Sequence, residues 1–477
     1  MTGAQPDAVV VGAGPNGLSA AVALARAGLS VQVFEAAATV GGGARSEALT
    51  LPGFVHDVCS AIHPLGAISP FWRELDLERR GVEWVEPEIA LAHPLEDGDA
   101  AVVHRSLDLT LAELGEDAGA YEAMFRPLAE NSTALLGEIL RPLRVPRRPL
   151  LLARFGRAGL RSSDALAARF KDARARALFA GCAAHSLLPL DYPGSAAFAL
   201  TLLLAAHTVG WPIARGGSGR ITKALADCLT ELGGEIHTGR AVRSLTDVPA
   251  AGAVLFDLSP RQVAEIAADA LPAGYRRRLA RFRHGPGAYK LDWALDGPIP
   301  WTSQACRRAG TVHVGGCYEE IAESEARIWK GEHPDEPFVL VGQQSAFDPT
   351  RAPAGRHTGW AYTHVPTGSN AERADAVERR IERFAPGFRD RILARHTRTA
   401  AELERDNPAM IGGDISGGAN TLGQVLARPL ARWDPYATPN PRLYLCSAST
   451  PPGGGVHGMC GANAARSVLR RTFKRRS

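Results

Sequence analysis

The stretch that most constrains this chain lies at its start. Asp7 to Val11 (D-A-V-V-V) reads as a short buried strand, and Gly12-Ala13-Gly14-Pro15-Asn16-Gly17 follows at once. Leu18 to Ala27 then reads as a helix closed by Gly28 at C′, and a second apolar strand, Ser30 to Phe34, ends in Glu35. This is G-x-G-x-x-G in a strand–turn–helix–strand setting. Gly12 permits the tight turn, Gly14 lets a pyrophosphate touch the backbone, and Gly17 lets helix and strand pack closely. Pro15 suits a first helical position, where no N–H is needed. Asn16 stands in the same first turn, whose free N–H groups and dipole favour an anion. Glu35, 18 residues after Gly17, is placed to accept hydrogen bonds from ribose hydroxyls. The spacing predicts a dinucleotide site.

Two further glycine-rich turns extend the pattern. In Val40-Gly41-Gly42-Gly43-Ala44-Arg45-Ser46, Gly42 and Gly43 form a turn able to close over the pyrophosphate, and Arg45 offers a charge-assisted hydrogen bond. Near the end, Arg442 to Ser447 reads as a strand, followed by Pro451-Pro452-Gly453-Gly454-Gly455-Val456-His457-Gly458-Met459-Cys460-Gly461 and a helix from Ala462 to about Arg471. Gly455, Val456 and His457 are placed to present backbone to a ligand edge that gains negative charge on reduction. A fourth block, Ile213 to Gly219, precedes an amphipathic helix Ile221–Leu232 ended by Gly233-Gly234. Strand-like Glu235–Leu245 carries Val242, another cofactor-binding candidate, and strand Gly252–Leu258 leads to Ser259-Pro260-Arg261-Gln262, a capping box. Fourteen of the 50 glycines fall in these four blocks, so they mark particular turns rather than a general composition. No second G-x-G-x-x-G appears in the middle of the chain, which argues against a separate NAD(P)H domain.

These blocks, with Asn407 to Asp414, Arg428-Pro429 and Asp434-Pro435-Tyr436, resemble the phytoene desaturase-related and amine oxidase superfamily of FAD-dependent oxidoreductases. Within it the chain is most similar to the branch of pyridine nucleotide-disulfide oxidoreductase domain-containing protein 2. The resemblance implies an α/β fold: a Rossmann-like FAD-binding domain of the glutathione reductase type 2 superfamily with an inserted α+β substrate domain. The expected boundaries are 1–64, 212–284 and 400–477 for the first, and 65–211 and 285–399 for the second. Two departures stand out: Ser447 occupies a position where a glycine is expected, and that strand end has no aspartate.

The resemblance also implies FAD, held non-covalently, and hydride transfer from a C–H of a mostly apolar small molecule to flavin N5, in dehydrogenation, desaturation or oxidation. Oxygen or a quinone would take the electrons. The flavin carries such chemistry, so neither a triad nor a metal cluster is needed, and the sequence contains no metal-ligand spacing. Lys290, on the strand-like Ala288–Leu295, is the first catalytic candidate, because amine oxidases hold a water at N5 with a lysine at a similar place. Of the aromatic pair that follows in those enzymes, only Trp301 is present. His457 and His63 are further candidates, each also readable as a structural histidine: His457 as a turn cap, His63 as a satisfied loop residue after strand-like Gly53–Val55. Cys460 reads as a buried thiol rather than a covalent anchor. Two alternatives to the leading function are an amine oxidase using Lys290 and its water, and a scaffold with structural FAD.

Charge excludes little else. Basic residues number 54 and acidic residues 50, a net charge of +4, which gives no case for nucleic-acid binding. Local runs at Arg141–Arg161 and Arg466–Arg476 read as solvated faces, with peripheral contact to an anionic membrane as the sharper alternative. The seven scattered cysteines include no C-x-x-C, and no secretory signal is read at the N-terminus, so a cytoplasmic location is expected. Tyr192 to Ala214 is uncharged, but its prolines and glycines favour a buried helix over Ala196–Val209 to a membrane span. The oligomeric state is left open.

Overall fold

A computed structural model describes residues 5–142 and 144–474. Two sheets organise it. In chain order the strands are β1 (Ala8–Val11), β2 (Val31–Phe34), β3 (Ile89–Pro94), β4 (Ala100–Val103), β5 (Glu235–His237) and β6 (Ala253–Phe256). Then follow β7 (Gly287–Leu295), β8 (Ala309–Val314), β9 (Val339–Gly342), β10 (His357–Val365), β11 (Ile392–Arg398) and β12 (Leu443–Leu445). The helices that matter most are α1 (Pro15–Arg26), α2 (Ala173–Ala184), α3 (Ser195–Val209), α4 (Gly219–Glu231), α5 (Pro260–Ile266) and α6 (Met459–Arg471).

The first sheet is parallel throughout, in the order β12-β6-β1-β2-β5. Its central strands are continuous apolar runs, A-V-V-V and A-V-L-F, fully buried because helices cover both faces. The strands of this sheet come from residues 8–34, 235–256 and 443–445, so distant pieces of chain complete one Rossmann-like layer. Helices α1 and α6 pack backbone to backbone. A Cβ on Gly461 would run into the Asn16 carbonyl, and one on Gly458 would meet Ser19 Oγ.

The second sheet has seven strands in the order β11-β7-β10-β9-β8-β3-β4, antiparallel except for the β3–β8 pair. Both faces of β7 are buried, and alternation divides its side chains. Tyr289, Leu291, Trp293 and Leu295 join an apolar cluster with Val339, Val341 and Ala361. Lys290 and Asp292 point the other way, paired across the register with Tyr362 and Trp360 of β10.

Several expected boundaries move. The helices after three glycine-rich turns begin earlier than the sequence suggests, at Pro15, Gly219 and Met459, because each turn feeds directly into helical backbone. The strand expected over Glu235–Leu245 stops at His237. There Gly239, at φ +65°, donates its N–H to Ala37 O, and Arg240 N–H to Glu35 O, folding the chain back over the end of β2. Val242 therefore lies half-buried on a loop, packed against the apolar cluster of Val9, Val11 and Phe256. Gly53–Val55 is not a strand; the pairing strands are His56–Asp57 and Ser46–Glu47. The capping box at Ser259 forms as read.

The uncharged stretch after Tyr192 forms α3, of 15 residues, with eight of them buried on packing faces. Among the described residues no helix is long and apolar enough to cross a membrane. The arginine run crosses a helix over Pro149–Gly159 beside exposed Val145 and Leu150. Arg475 and Arg476 lie outside the described residues.

The α1–α6 contact yields a direct test. Gly461→Ala should lower unfolding free energy by about 3 kcal/mol or more, since the added methyl meets backbone that no rotamer change can relieve. Gly423→Ala, in a helix with open space around it, should be neutral or stabilising by up to about 1 kcal/mol. Urea unfolding of the two variants measures the difference.

Candidate active site

The turn after β1 places its glycines at the end of the parallel sheet. The N-cap of α1 is Gly14, which has no side chain to cap the helix, and Pro15 follows at N1. Gly12, Gly14 and Pro15 are half-exposed while Asn16 and Gly17 are buried, so the turn presents backbone rather than side chain. Glu35 is fixed at the end of β2 by two amides, Ala13 N to Oε2 at 2.7 Å and Ala37 N to Oε1 at 2.9 Å. Each oxygen retains a lone pair for a further donor.

The second glycine turn folds across the first. Gly41 N–H donates to Ala13 O at 2.9 Å, and a Cβ on Gly42 would sit 3.1 Å from Gly14 Cα. Gly43 faces Met410 and Cys59. Arg45 Nε stands 3.5 Å from Glu47 Oε1, an ion pair too long for a hydrogen bond, and this buried Nε has no hydrogen-bond partner. A half-buried guanidinium with a donor to spare suits an anion.

The turn before α6 leads into a helix packed on α1. Gly455 is exposed and Gly454 and Val456 half-buried, whereas Gly453 and His457 to Gly461 are buried. The Val456 carbonyl lies against Gly66, and Ser69 Oγ–H donates to His457 O at 2.7 Å. The His457 ring is taken up by the backbone. Nδ1 accepts from Met459 N at 3.0 Å, and the Gly453 and Gly454 carbonyls face the rest of the ring. Burial pushes this histidine down to about 4, so it is neutral near pH 7. The ring geometry is that of the turn cap that the sequence also allows. The Cys460 thiol points at the Thr450 and Gly453 carbonyls, each 3.4 Å away, and burial pushes it up to about 12.

The fourth glycine block behaves differently. Ser218 N–H is taken by Asp57 Oδ1 at 2.7 Å, Gly219 N–H by Ser46 Oγ at 3.0 Å and Gly216 N–H by Asp348 Oδ2 at 2.7 Å. The protein itself closes the start of α4. His63 joins this closure. Because Ser218 Oγ–H donates to Ser60 O at 2.6 Å, His63 Nε2–H must donate to Ser218 Oγ, 2.8 Å away. His63 Nδ1 is then an unpartnered acceptor, and burial brings the ring down to about 4.

Lys290 lies on the inward face of β7, almost fully buried. Its Nζ donates to Asp292 Oδ1 at 2.6 Å and to Leu291 O at 3.2 Å, and stands 5.0 Å from the Trp360 ring centroid. Trp360 Nε1–H donates to Cys59 O at 3.1 Å, which ties this face to the loop under Gly43. Burial lowers the lysine and Asp292 opposes it, while burial pushes Asp292 up to about 6. His56, 3.7 Å from Asp292, is brought down to about 3 by burial and by the Lys290 charge. Beyond it, burial alone would raise Asp57, but Arg351 outweighs it from 2.7 Å and holds the carboxyl below its usual range.

Sequence reading missed several of these residues. Asp292 carried a signal, since it alternates with Leu291 and Trp293 on the side of Lys290, whereas Trp360 is brought beside it only by the pairing of β7 with β10. On β10 the same face carries Trp360, Tyr362 and His364, and His364 Nδ1 is held by Glu325 at 2.8 Å with Nε2 buried and unpartnered. Asp257, 240 residues from Gly17, accepts its N–H at 2.8 Å. No local signal announces a contact of that span.

Comparison with known proteins agrees with this architecture. Residues 10–75 match the family profile of the NAD(P)-binding Rossmann-like domain. The chain is 29% identical to pyridine nucleotide-disulfide oxidoreductase domain-containing protein 2 of Mus musculus, over 97% of this chain and 93% of that one. It is 28% identical to phytoene dehydrogenase of Streptomyces griseus, over 87% and 82% respectively. Putrescine oxidase bound to putrescine superposes with a TM-score of 0.64 at 16% identity, covering 99% of both chains. By sequence the chain is a relative of the first two, and by fold it shares the architecture of the third.

The buried pair makes a testable demand. Asp292→Ala should cost about 3–5 kcal/mol by stranding the Lys290 charge, whereas Lys290→Met with Asp292→Leu should recover most of that loss. Denaturant unfolding of the single and double variants gives the comparison.

Proposed function

We propose that this chain binds FAD non-covalently and moves a hydride from a C–H of a mostly apolar small molecule to flavin N5, as a dehydrogenase, desaturase or oxidase. The observation that carries the reading is that the glycine-rich turns at 12–17 and 41–43 pack on one another, that the helix after the turn at 453–456 packs on α1, and that Gly12, Gly14, Gly42, Gly43, Gly454 and Gly455 keep some exposure. The residues present fit this cofactor. The start of α1, with its side-chain-free N-cap Gly14, and Arg45 would hold the pyrophosphate, and Glu35 the ribose. The Gly455–Val456 backbone would face the ring edge, and Val242 remains a candidate contact on its loop. When bound, the flavin supplies the hydride acceptor. The chain's own part is to orient the substrate and exclude water, for which the face carrying Trp360 and Tyr362 is apolar enough. Oxygen or a quinone is the proposed electron acceptor.

A second reading, amine oxidation, draws on the burial of Lys290 against Trp360 beside Cys59 and on the shared architecture with putrescine oxidase. In that reading the lysine ammonium holds a water near the reacting carbon, with Asp292 fixing its position.

The purified protein should carry a yellow flavin, or take up added FAD, and release it intact on denaturation. Arg45→Ala should weaken FAD binding by roughly 10–100-fold through loss of a charge-assisted contact. Anaerobic bleaching at about 450 nm by alkenes, alcohols or cyclic precursors supports the first reading, and bleaching by amines alone selects the second. A protein that stays colourless and ignores added FAD overturns both.

A further inference from the structure

Asp257 is the first residue after β6, and the whole fingerprint turn is built around it. Its Oδ2 accepts from Gly17 N–H at 2.8 Å. Cβ atoms placed on the three fingerprint glycines all run into this residue: 2.9 Å from its carbonyl oxygen at Gly12, 2.7 Å from Oδ2 at Gly14, and 3.1 Å from Oδ2 at Gly17. Its carboxyl thus lies flush beneath the half-exposed turn, at the positive end of α1, where the dinucleotide's phosphates would approach. Among the described residues no cation pairs with it.

We propose that Asp257 is a cofactor-binding residue that must carry a proton when the pyrophosphate is bound, so that FAD binding takes up one proton from solvent. The inference rests on the FAD reading above. An ionised carboxylate there would face phosphate charge at short range with no cation between. A protonated one accepts from Gly17 through one oxygen and can donate through the other.

The surroundings favour that protonation. Burial pushes Asp257 up to about 7, helped by Glu35 and opposed by the Gly17 N–H. The other ionisable groups facing this spot are Cys446 just after β12 and Cys460 on α6, with Arg428 beyond Cys460 and Arg45 on the loop across Gly14. Burial holds both thiols far above neutrality, so they do not titrate with it. An arriving anion raises the Asp257 carboxyl further. The free protein therefore binds best where this carboxyl is already protonated, and affinity falls as pH rises through about 7.

The test is FAD binding to the full-length apoprotein, followed by flavin fluorescence and by calorimetry in two buffers of different ionisation heat. For the wild type the Kd should be flat below about pH 6 and rise toward about tenfold per pH unit above about pH 7. Near pH 8, uptake should approach about one proton per FAD. Asp257→Asn keeps an acceptor for Gly17 and a donor for the phosphate. It should bind at all pH values about as tightly as the wild type does in acid, with no proton uptake. Asp257→Ser provides a second pH-independent variant should the asparagine variant fail to fold. A wild-type Kd independent of pH, a pH dependence that survives in both variants, or a folded asparagine variant that cannot bind overturns the proposal. Wild type that binds no FAD at any pH overturns the cofactor reading itself.

Discussion

The structure turns on helix starts whose own N-cap residue has no side chain. Gly14 and Gly458 are the N-caps of α1 and α6 and offer no side-chain oxygen to the first-turn amides. Elsewhere the chain caps its helices in the ordinary way, as at Ser259 and Thr399. Uncapped amides leave a positive end that something must meet. At α4 the protein meets it with Asp57 and Ser46, so the glycines there only make room for those side chains. At α1 the Asp257 carboxyl takes the Gly17 N–H, at α6 His457 Nδ1 takes the Met459 N–H, and α6 is pressed so closely on α1 that the two starts lie side by side. One chemical device thus recurs at three helix starts, each met by a side chain from outside its own helix.

The closed turn also locks the two sheets together. Arg351, in the loop before β10, reaches Asp57 at 2.7 Å and Asp348 at 3.1 Å, and Asp348 in turn takes Gly216 N–H. All three side chains are essentially inaccessible. Such a triad gains little net stability over apolar packing of the same volume, because desolvation offsets the attraction. It fixes geometry instead: the mixed sheet, with Lys290 and Trp360, is held at one position relative to the loops that carry Cys59, His63 and Gly43. A site that positions one carbon against one acceptor atom depends on that kind of registry.

How much of this was legible in the sequence follows from the range of each interaction. The strand–turn–helix at residues 7–35 could be read because its hydrophobic period, its glycines and Glu35 all lie within one short window. The box at Ser259–Gln262 is equally local, and it forms as read. The Glu235–Leu245 strand was overcalled because the hydrogen bonds that end it, to Ala37 and Glu35, come from about 200 residues away. Lys290 could be picked out as an isolated lysine on an apolar strand, and Asp292 alternates with Leu291 and Trp293 on its side, but Trp360 comes from a strand about 70 residues on that no local pattern ties to it. His457 was visible as a residue in a glycine turn. Only the coordinates show that Met459 N–H occupies its Nδ1. Asp257 is the extreme case, an unremarkable strand-end acid whose meaning lies wholly in the distant glycines folded over it.

These features together define the electrostatics of the cleft. Around Lys290 the charges are matched: the lysine has Asp292, Arg351 has two aspartates, and Arg398 has Asp406 at 2.8 Å. The histidines on this side, His56 and His63, are driven neutral by burial and by nearby cations, and His457 is neutralised by burial alone. The face that carries Lys290 is therefore buried and charge-balanced, with no titrating base near neutral pH among those histidines. The start of α1 and Arg45, whose Nε stands 3.5 Å from Glu47, supply the positive character where a dinucleotide's phosphates would lie. Asp257 is placed against that positive end, and an anion drawn there would meet its carboxyl at the lowest cost once that carboxyl is protonated.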